Sequence, residues 1–169
     1  MKSKLFNNFL LFSLFGVALG FFGILYEGVV YGPKFLDVSM ERMLFWKNFT
    51  SVISPIIFYI PWDPLATIVL VGLYFAASKQ SELLKKQLGW ASMLQVASLV
   101  LTFYILTQIN FKRSFGDLDK YALEIPAKVI LFNVLSIFRI IFAATALAFS
   151  FKAYIKTQTI AELRVQHVA

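Results

Sequence analysis

Four apolar stretches of the chain are each long enough to cross a lipid bilayer as an α-helix. About 20 residues of helix cross the ~30 Å hydrocarbon core, and these stretches cover residues 5–26, 49–78, 89–110 and 127–151. Of the 169 residues, 59% are hydrophobic, more than the roughly 45–50% usual in soluble domains. Backbone groups in lipid must bond within their own segment, and strand-like alternation is absent. The sequence therefore predicts an all-α membrane protein, with residues 1–169 forming a single four-transmembrane-helix bundle.

The residue types that the chain lacks exclude several kinds of chemistry. It has no cysteine, which excludes disulfides, thiolate metal sites and Cys-x-x-Cys redox chemistry. Its one histidine, His167, lies outside the four apolar stretches, so a bis-histidine haem within the bundle is also excluded. We therefore expect no metal and no cofactor.

The net charge of +7 favours the lipid bilayer as a partner over nucleic acid, because basic residues beside membrane helices usually set topology or contact anionic lipid. Four crossings place both termini on one side of the membrane. Lys2 and Lys4 beside the first stretch favour a cytoplasmic location for that side. We expect a multi-pass protein of the cell membrane with cytoplasmic termini.

The first stretch carries one stripe of small and polar residues. Spacings of three and four place Ser13, Gly16, Gly20, Gly23 and Glu27 on a single helix face. Small residues let another backbone approach closely, so the stripe predicts that Glu27 faces protein at the outer boundary. A packing seam that ends in a solvated acid is the alternative interpretation.

Residues 36–48 predict a short amphipathic helix between the first two crossings. Its apolar residues recur at helical spacing: Leu36, Met40, Met43 and Leu44. We interpret it as an interfacial helix on the membrane surface. A lid over a cavity is the alternative.

The second stretch, 49–78, would measure about 45 Å as one helix, too long for one upright crossing. The sequence "PWDP" divides it, and prolines interrupt helices because they lack an N–H and clash with the preceding turn. We therefore predict helix 2 to be broken at Pro61–Pro64 into pieces over 49–60 and 64–78. Asp63 is predicted to be the N-cap of the second piece.

Asp63 and Arg139 are predicted to meet inside the bundle. Arg139 falls near the middle of the fourth stretch, and unpaired charges at similar depths in lipid would each be costly. A buried ion pair that lines a pocket is therefore expected, with neighbours that would contact substrate: Gln95, Asn133, Ser136, Tyr59 and Tyr104. In the alternative, "PWDP" is a surface turn and Asp63 caps a helix in water.

Three segments together resemble the anthrone oxygenase-like family of small four-helix membrane proteins. They are "GILYEGVVYGPKF", "YILTQINFKRSF" and "NVLSIFRIIFAATAL". The similar positions are the Tyr–Pro exit of the first helix, Asn110 and Arg139. Many members have a histidine one turn before this arginine, where the present chain has Ser136.

The resemblance implies cofactor-independent oxidation of an apolar aromatic molecule. Such chemistry needs a base that removes an activated C–H proton and a cation that holds the resulting anion. Glu27 or Asp63 would be the base and Arg139 the cation. Since pairing with Arg139 would make a carboxylate a poorer base, the predicted Asp63–Arg139 pair favours Glu27 as the base and leaves Asp63 to bind substrate.

Three functions are consistent with the sequence. The first is an oxygenase-like enzyme or a binder of an apolar aromatic or lipid-like molecule in an intramembrane pocket near Arg139. The second is a non-catalytic membrane subunit that packs against the helices of partner subunits. The third is a small proton-coupled transporter that acts as an oligomer, for which a helix broken at the midplane would be suitable.

Overall fold

A computed structural model of the chain describes residues 3–37, 39–52, 60–77, 81–110 and 123–166. All regular structure in these ranges is helical, which confirms the predicted class. The α-helices are α1 (Ser3–Tyr26), α2 (Met40–Val52), α3 (Trp62–Ala76), α4 (Glu82–Ile105) and α5 (Ile125–Gln166). A π-helical turn extends α1 over Glu27–Tyr31, another extends α4 over Leu106–Asn110, and a 3-10 turn, Pro33–Leu36, precedes α2.

Three segments are long and apolar enough to cross a membrane: Lys4–Tyr31, Glu82–Asn110 and Ile125–Thr159. Large apolar side chains on the helix surfaces are exposed, such as Phe15 at 63% and Ile68 at 69%, as expected of helices that face lipid. α3 is apolar but has 15 residues, about 22 Å. The sequence predicts that helix 2 is broken at Pro61–Pro64. The second piece, predicted at 64–78, is present as α3, which begins at Trp62. Most of the first piece, 49–60, lies outside the described residues, so the break stays a prediction.

The four helices other than α2 pack in a ring, in which α1 and α4 each contact both α3 and α5. Their apolar core has two parts. The first apolar cluster comprises Phe6, Leu10, Val17, Ala66, Leu70, Leu73, Ala77, Leu84, Leu88, Ala91, Ala146 and Ala153. The second apolar cluster comprises Tyr31, Met43, Ile105, Ile109, Ile125, Val129 and Phe132. On α1, α4 and α5 the two clusters occupy opposite ends of the same helix.

Several helix boundaries differ from the predicted ones. α4 begins at Glu82 and not at residue 89, because the Ser81 hydroxyl caps it by accepting a hydrogen bond from the Leu84 N–H. α5 continues to Gln166, beyond the predicted end at residue 151. Hydropathy marks where the apolar stretch ends, whereas the polar residues that follow contain no glycine or proline to stop the helix.

Asp63 is not an N-cap. α3 begins at Trp62 with Pro61 at the N-cap position, and no side chain caps it. Asp63 therefore lies within the first turn of the helix, where its side chain is directed into the protein and is 1% exposed. The alternative, in which Asp63 caps a helix in water at a surface turn, is wrong because this side chain is buried.

The helix predicted at residues 36–48 is present at Met40–Val52. It starts later because Pro33–Leu36 forms a 3-10 turn and Asp37 is extended; the Ser39 carbonyl then accepts a hydrogen bond from the Met43 N–H. Met43 packs into the second apolar cluster, whereas Leu44 remains 46% exposed. The apolar face is therefore only partly covered by protein, and its location at a membrane surface stays a prediction.

Candidate functional site

A layer of buried polar side chains separates the two apolar clusters. We call it the polar layer; it comprises Glu27, Asp63, Gln95, Ser98, Thr102, Asn110, Ser136 and Arg139, each at most 6% exposed. On α4, Gln95, Ser98 and Thr102 lie between Ala91 of the first cluster and Ile105 of the second, whereas Asn110 follows Ile109 at the end of the π-turn. All four packed helices contribute to the layer, so it brings together residues that are distant in sequence.

The polar layer contains a buried ion pair between Arg139 and Glu27. Nη2 of Arg139 donates to Oε2 of Glu27 at 2.6 Å, and Nδ2 of Asn110 donates to Oε1 at 3.2 Å. Both charged side chains are almost completely buried. Because both carboxylate oxygens accept charge-assisted or amide hydrogen bonds, Glu27 is held tightly between α4 and α5.

Both π-helical turns carry a member of this cluster. Glu27 is the first residue of the turn after α1, and Asn110 is the last residue of the turn after α4. A π-turn inserts one extra residue into a helical turn and often occurs at a functional site. Here the two turns place the Glu27 carboxylate and the Asn110 amide within hydrogen-bond distance.

Asp63 occupies the same layer but has a different partner. Its Oδ1 accepts a hydrogen bond from Nε2 of Gln95 at 2.5 Å. A Cβ built on Gly20 would overlap the Asp63 carboxylate, and one built on Gly16 would overlap the Ala66 side chain. Gly16 and Gly20 of the small-residue stripe therefore face α3, and Gly20 leaves the space in which the carboxylate lies.

The carboxylate that contacts Arg139 is not the predicted one, which was that of Asp63. Arg139 pairs with Glu27, while its charge acts on Asp63 from a longer range. An arginine on a helix extends toward the helix N-terminus. On α5 that direction leads toward the second apolar cluster and the end of α1, where Glu27 lies, and away from Asp63.

The other predicted substrate-binding residues divide into three groups. Gln95 and Ser136 are buried in the polar layer, at 0% and 2% exposed. Asn133 is half-buried and donates to the Val129 carbonyl of its own helix at 3.0 Å, and Tyr104 is 42% exposed, so neither contributes to the buried layer. Tyr59 lies outside the described residues.

Sequence reasoning did not include Asn110 among the site residues. Asn110 appeared only as a position of family resemblance, since it is the last residue of the third apolar stretch. The signal available in the sequence was that "TQIN" continues the apolar periodicity of α4 by one turn, with Ile109 buried beside Asn110.

Five buried polar atoms of the layer have no hydrogen-bond partner among the described residues. They are Asp63 Oδ2, Gln95 Oε1, Asn110 Oδ1, Ser136 Oγ and Arg139 Nε. More than nine in ten buried polar groups in proteins are satisfied, and an unsatisfied one costs ~1–3 kcal/mol. The unpartnered atoms of the layer are therefore one donor, three acceptors and one hydroxyl that can either donate or accept.

Comparison of the chain with protein families, curated proteins and solved structures finds no match. The resemblance to anthrone oxygenase-like proteins therefore stays a prediction. The function has to be argued from the chemistry of the polar layer.

Proposed function

We propose that the protein is a four-crossing membrane protein in which α1, α4 and α5 cross the bilayer and α3 forms half of a fourth crossing. Two observations support this proposal: the four helices pack in a ring, and α3 begins level with the middle of α1. Trp62 and Asp63 lie against Gly16 and Gly20 in the middle of α1. The predicted break divides helix 2 into two pieces, and α3 corresponds to the second of them.

We propose further that the polar layer binds a small, mostly apolar molecule that carries a carbonyl or hydroxyl group. The observation that carries this proposal is the set of five unpartnered buried polar atoms between two apolar clusters. Ionisable residues within a membrane are expensive and are functional-site candidates by default. The neighbouring apolar clusters would match an aromatic or lipid-like body.

Arg139 and Asp63 are the two charged groups that offer such a molecule an unused atom. Nε of Arg139 can donate to a carbonyl or phenolate oxygen, and Oδ2 of Asp63 can accept from a hydroxyl. If the C–H deprotonation implied by the family resemblance takes place here, Asp63 becomes the base. Glu27, which the sequence favoured for that role, uses both oxygens to accept hydrogen bonds from Asn110 and Arg139.

One observation favours the alternative of a non-catalytic subunit. The Arg139–Glu27 contact is short and buried, and buried polar pairs can serve to fix helix register. In that case the polar layer would be purely structural, and the exposed apolar faces would pack against partner helices.

Native mass spectrometry of the full chain, purified in lipid nanodiscs, tests the binding proposal. Asp63→Asn and Ser136→Ala are compared with Ser150→Ala, which is the matched control because Ser150 is also on α5, fully buried and unpartnered, but lies outside the polar layer. We expect a bound non-phospholipid molecule in the wild type and in Ser150→Ala. Asp63→Asn and Ser136→Ala each remove one hydrogen bond to that molecule, which should lower its affinity about tenfold.

Two results would count against binding. One is the absence of any small molecule from the wild type, with partner membrane subunits retained in mild detergent, which would favour the structural subunit. The other is a loss of the molecule in Ser150→Ala as large as in Asp63→Asn and Ser136→Ala, which would mean that the molecule does not bind at the polar layer.

A further inference from the structure

A groove on the outer surface of the protein lies between α3 and α4, beside the first apolar cluster. It is a shallow, open groove of about 710 Å³. Its walls are mainly apolar, with Val71 and Phe75 from α3 and Met93 and Val96 from α4. A groove of this kind on a membrane helix pair would be in contact with lipid chains.

One end of the groove is basic. Lys85 and Lys86 lie there together with Glu82, so the end carries two positive charges and one negative charge. Both lysines are exposed, and Nζ of Lys85 lies 5.9 Å from the centroid of the Tyr74 ring. From Lys85 to Val96 the groove follows 11 residues of α4, about 16 Å. The groove thus changes from cationic to apolar over about half the hydrocarbon thickness.

Between its two ends the groove contains an aromatic residue and a buried hydroxyl. Trp90 is 45% exposed at the transition from charged to apolar lining, where indole rings prefer the headgroup boundary. Ser92 lines the groove, is 6% exposed, and its Oγ has no hydrogen-bond partner. Gly89 keeps this part of the groove wide, because a Cβ there would lie 3.2 Å from Cε2 of Tyr74.

We propose that this groove binds one anionic glycerophospholipid from the adjacent leaflet. The lysines contact the phosphate and its anionic headgroup, Trp90 lies beside the ester region, and one acyl chain lies along Val71 and Val96. The order of groups along the groove matches the order of groups along a phospholipid. This site is separate from the polar layer and does not depend on the function proposed for that layer.

Quenching of tryptophan fluorescence by brominated lipid tests the proposal on the full chain in nanodiscs. Bilayers of phosphatidylcholine contain a small fraction of either brominated phosphatidylglycerol or brominated phosphatidylcholine. Trp46→Phe and Trp62→Phe remove the other two tryptophans, so the signal reports Trp90 alone. We expect the wild-type groove to prefer phosphatidylglycerol about fivefold, because Glu82 offsets one of the two lysine charges.

Two double variants separate the groove from general attraction to a basic protein. Lys85→Gln with Lys86→Gln leaves Glu82 as the charge at this end and should abolish the preference. Lys4→Gln with Lys156→Gln is the control, because it removes the same charge from α1 and α5 at residues that do not line the groove, and it should leave the preference unchanged.

No preference in the wild type, or an equal reduction in both double variants, would overturn the proposal. The lysines are on the surface, so the variants should fold; thermal unfolding in detergent verifies this.

Discussion

At the scale of single residues, Glu27 and Arg139 form an ion pair that is almost completely removed from water. Two charges removed from water gain their stability from each other, and removal of one leaves the other buried and uncompensated. The hydrogen bond from Asn110 completes the coordination of the carboxylate. The pair therefore makes each of its members individually sensitive to substitution.

We expect Glu27→Gln to destabilise the protein by ~3–5 kcal/mol, because it leaves the Arg139 charge without its counter-ion. Glu41→Gln is the control: Glu41 is exposed on α2, and surface substitutions of this kind change stability by about 0.5 kcal/mol or less. Thermal unfolding in detergent measures both. Equal stabilities of the two variants would mean that Arg139 does not depend on Glu27.

A double-mutant cycle distinguishes the observed ion pair from the one expected from the sequence. The losses from Glu27→Gln and Arg139→Gln should be strongly non-additive, with a coupling of ~1–3 kcal/mol. The coupling between Asp63→Asn and Arg139→Gln should be smaller, since those charges interact without direct contact. A larger coupling for Asp63 with Arg139 than for Glu27 with Arg139 would instead support the Asp63–Arg139 pair predicted from the sequence.

The sequence was sufficient to predict that Asp63, Gln95 and Arg139 are buried together, because charges in a long apolar chain have few favourable environments. It was not sufficient to predict the partners. Glu27 looked like a boundary residue because the apolar stretch ended near it. The π-turn that carries α1 on to Tyr31 places it inside the protein, and periodicity in the sequence does not reveal such a turn.

At the scale of helices, the approach of α3 to α1 depends on glycine. Gly16 and Gly20 face Ala66 and Asp63 so closely that neither has room for a Cβ. This close approach allows a short helix to hold a carboxylate in the middle of the protein. By contrast, a Cβ on Gly72 of α3 would meet nothing within 4 Å.

We expect Gly20→Ala to destabilise the protein by ~1–3 kcal/mol, the usual cost of an added methyl group in a packed site. It should also displace the Asp63 carboxylate from Gln95. Gly72→Ala is the matched control and should be neutral or stabilise by up to ~1 kcal/mol through helix propensity. Thermal unfolding compares the two, and a Gly20→Ala variant as stable as Gly72→Ala would contradict the packing of α3 on α1.

The existence of the helices followed from apolar length, but their ends did not. Hydropathy describes the solvent around a segment, while helix ends depend on caps and backbone-breaking residues. This is why Ser81 starts α4 ahead of its apolar stretch and why α5 continues beyond its own.

At the scale of the whole molecule, the arrangement of apolar surface is consistent with a bilayer. The large exposed apolar side chains occur on α1, α3, α4 and α5 alike, whereas soluble monomers rarely expose such contiguous apolar surface. Three crossings are supported by length and composition. The fourth crossing and the orientation remain proposals.

Single cysteines test the topology without a background, because the natural chain has none. A membrane-impermeant maleimide should label Leu123→Cys in intact cells, and Thr159→Cys only after permeabilisation. Ile137→Cys, exposed at 59% on the apolar part of α5, should react in neither case because lipid excludes the reagent. Labelling of residues 123 and 159 from the same side would contradict an odd number of crossings between them.

The 42 residues of α5 make it about 63 Å long, roughly twice the hydrocarbon thickness. Arg139 lies about 21 Å from its first residue, so the longer arm of the rod extends on the other side of the charge. Ala146 and Ala153 hold this longer part in the first apolar cluster, so the helix is packed on both sides of the charge. A shift of α5 along its axis would therefore move Arg139 relative to Glu27 together with the apolar contacts on either side.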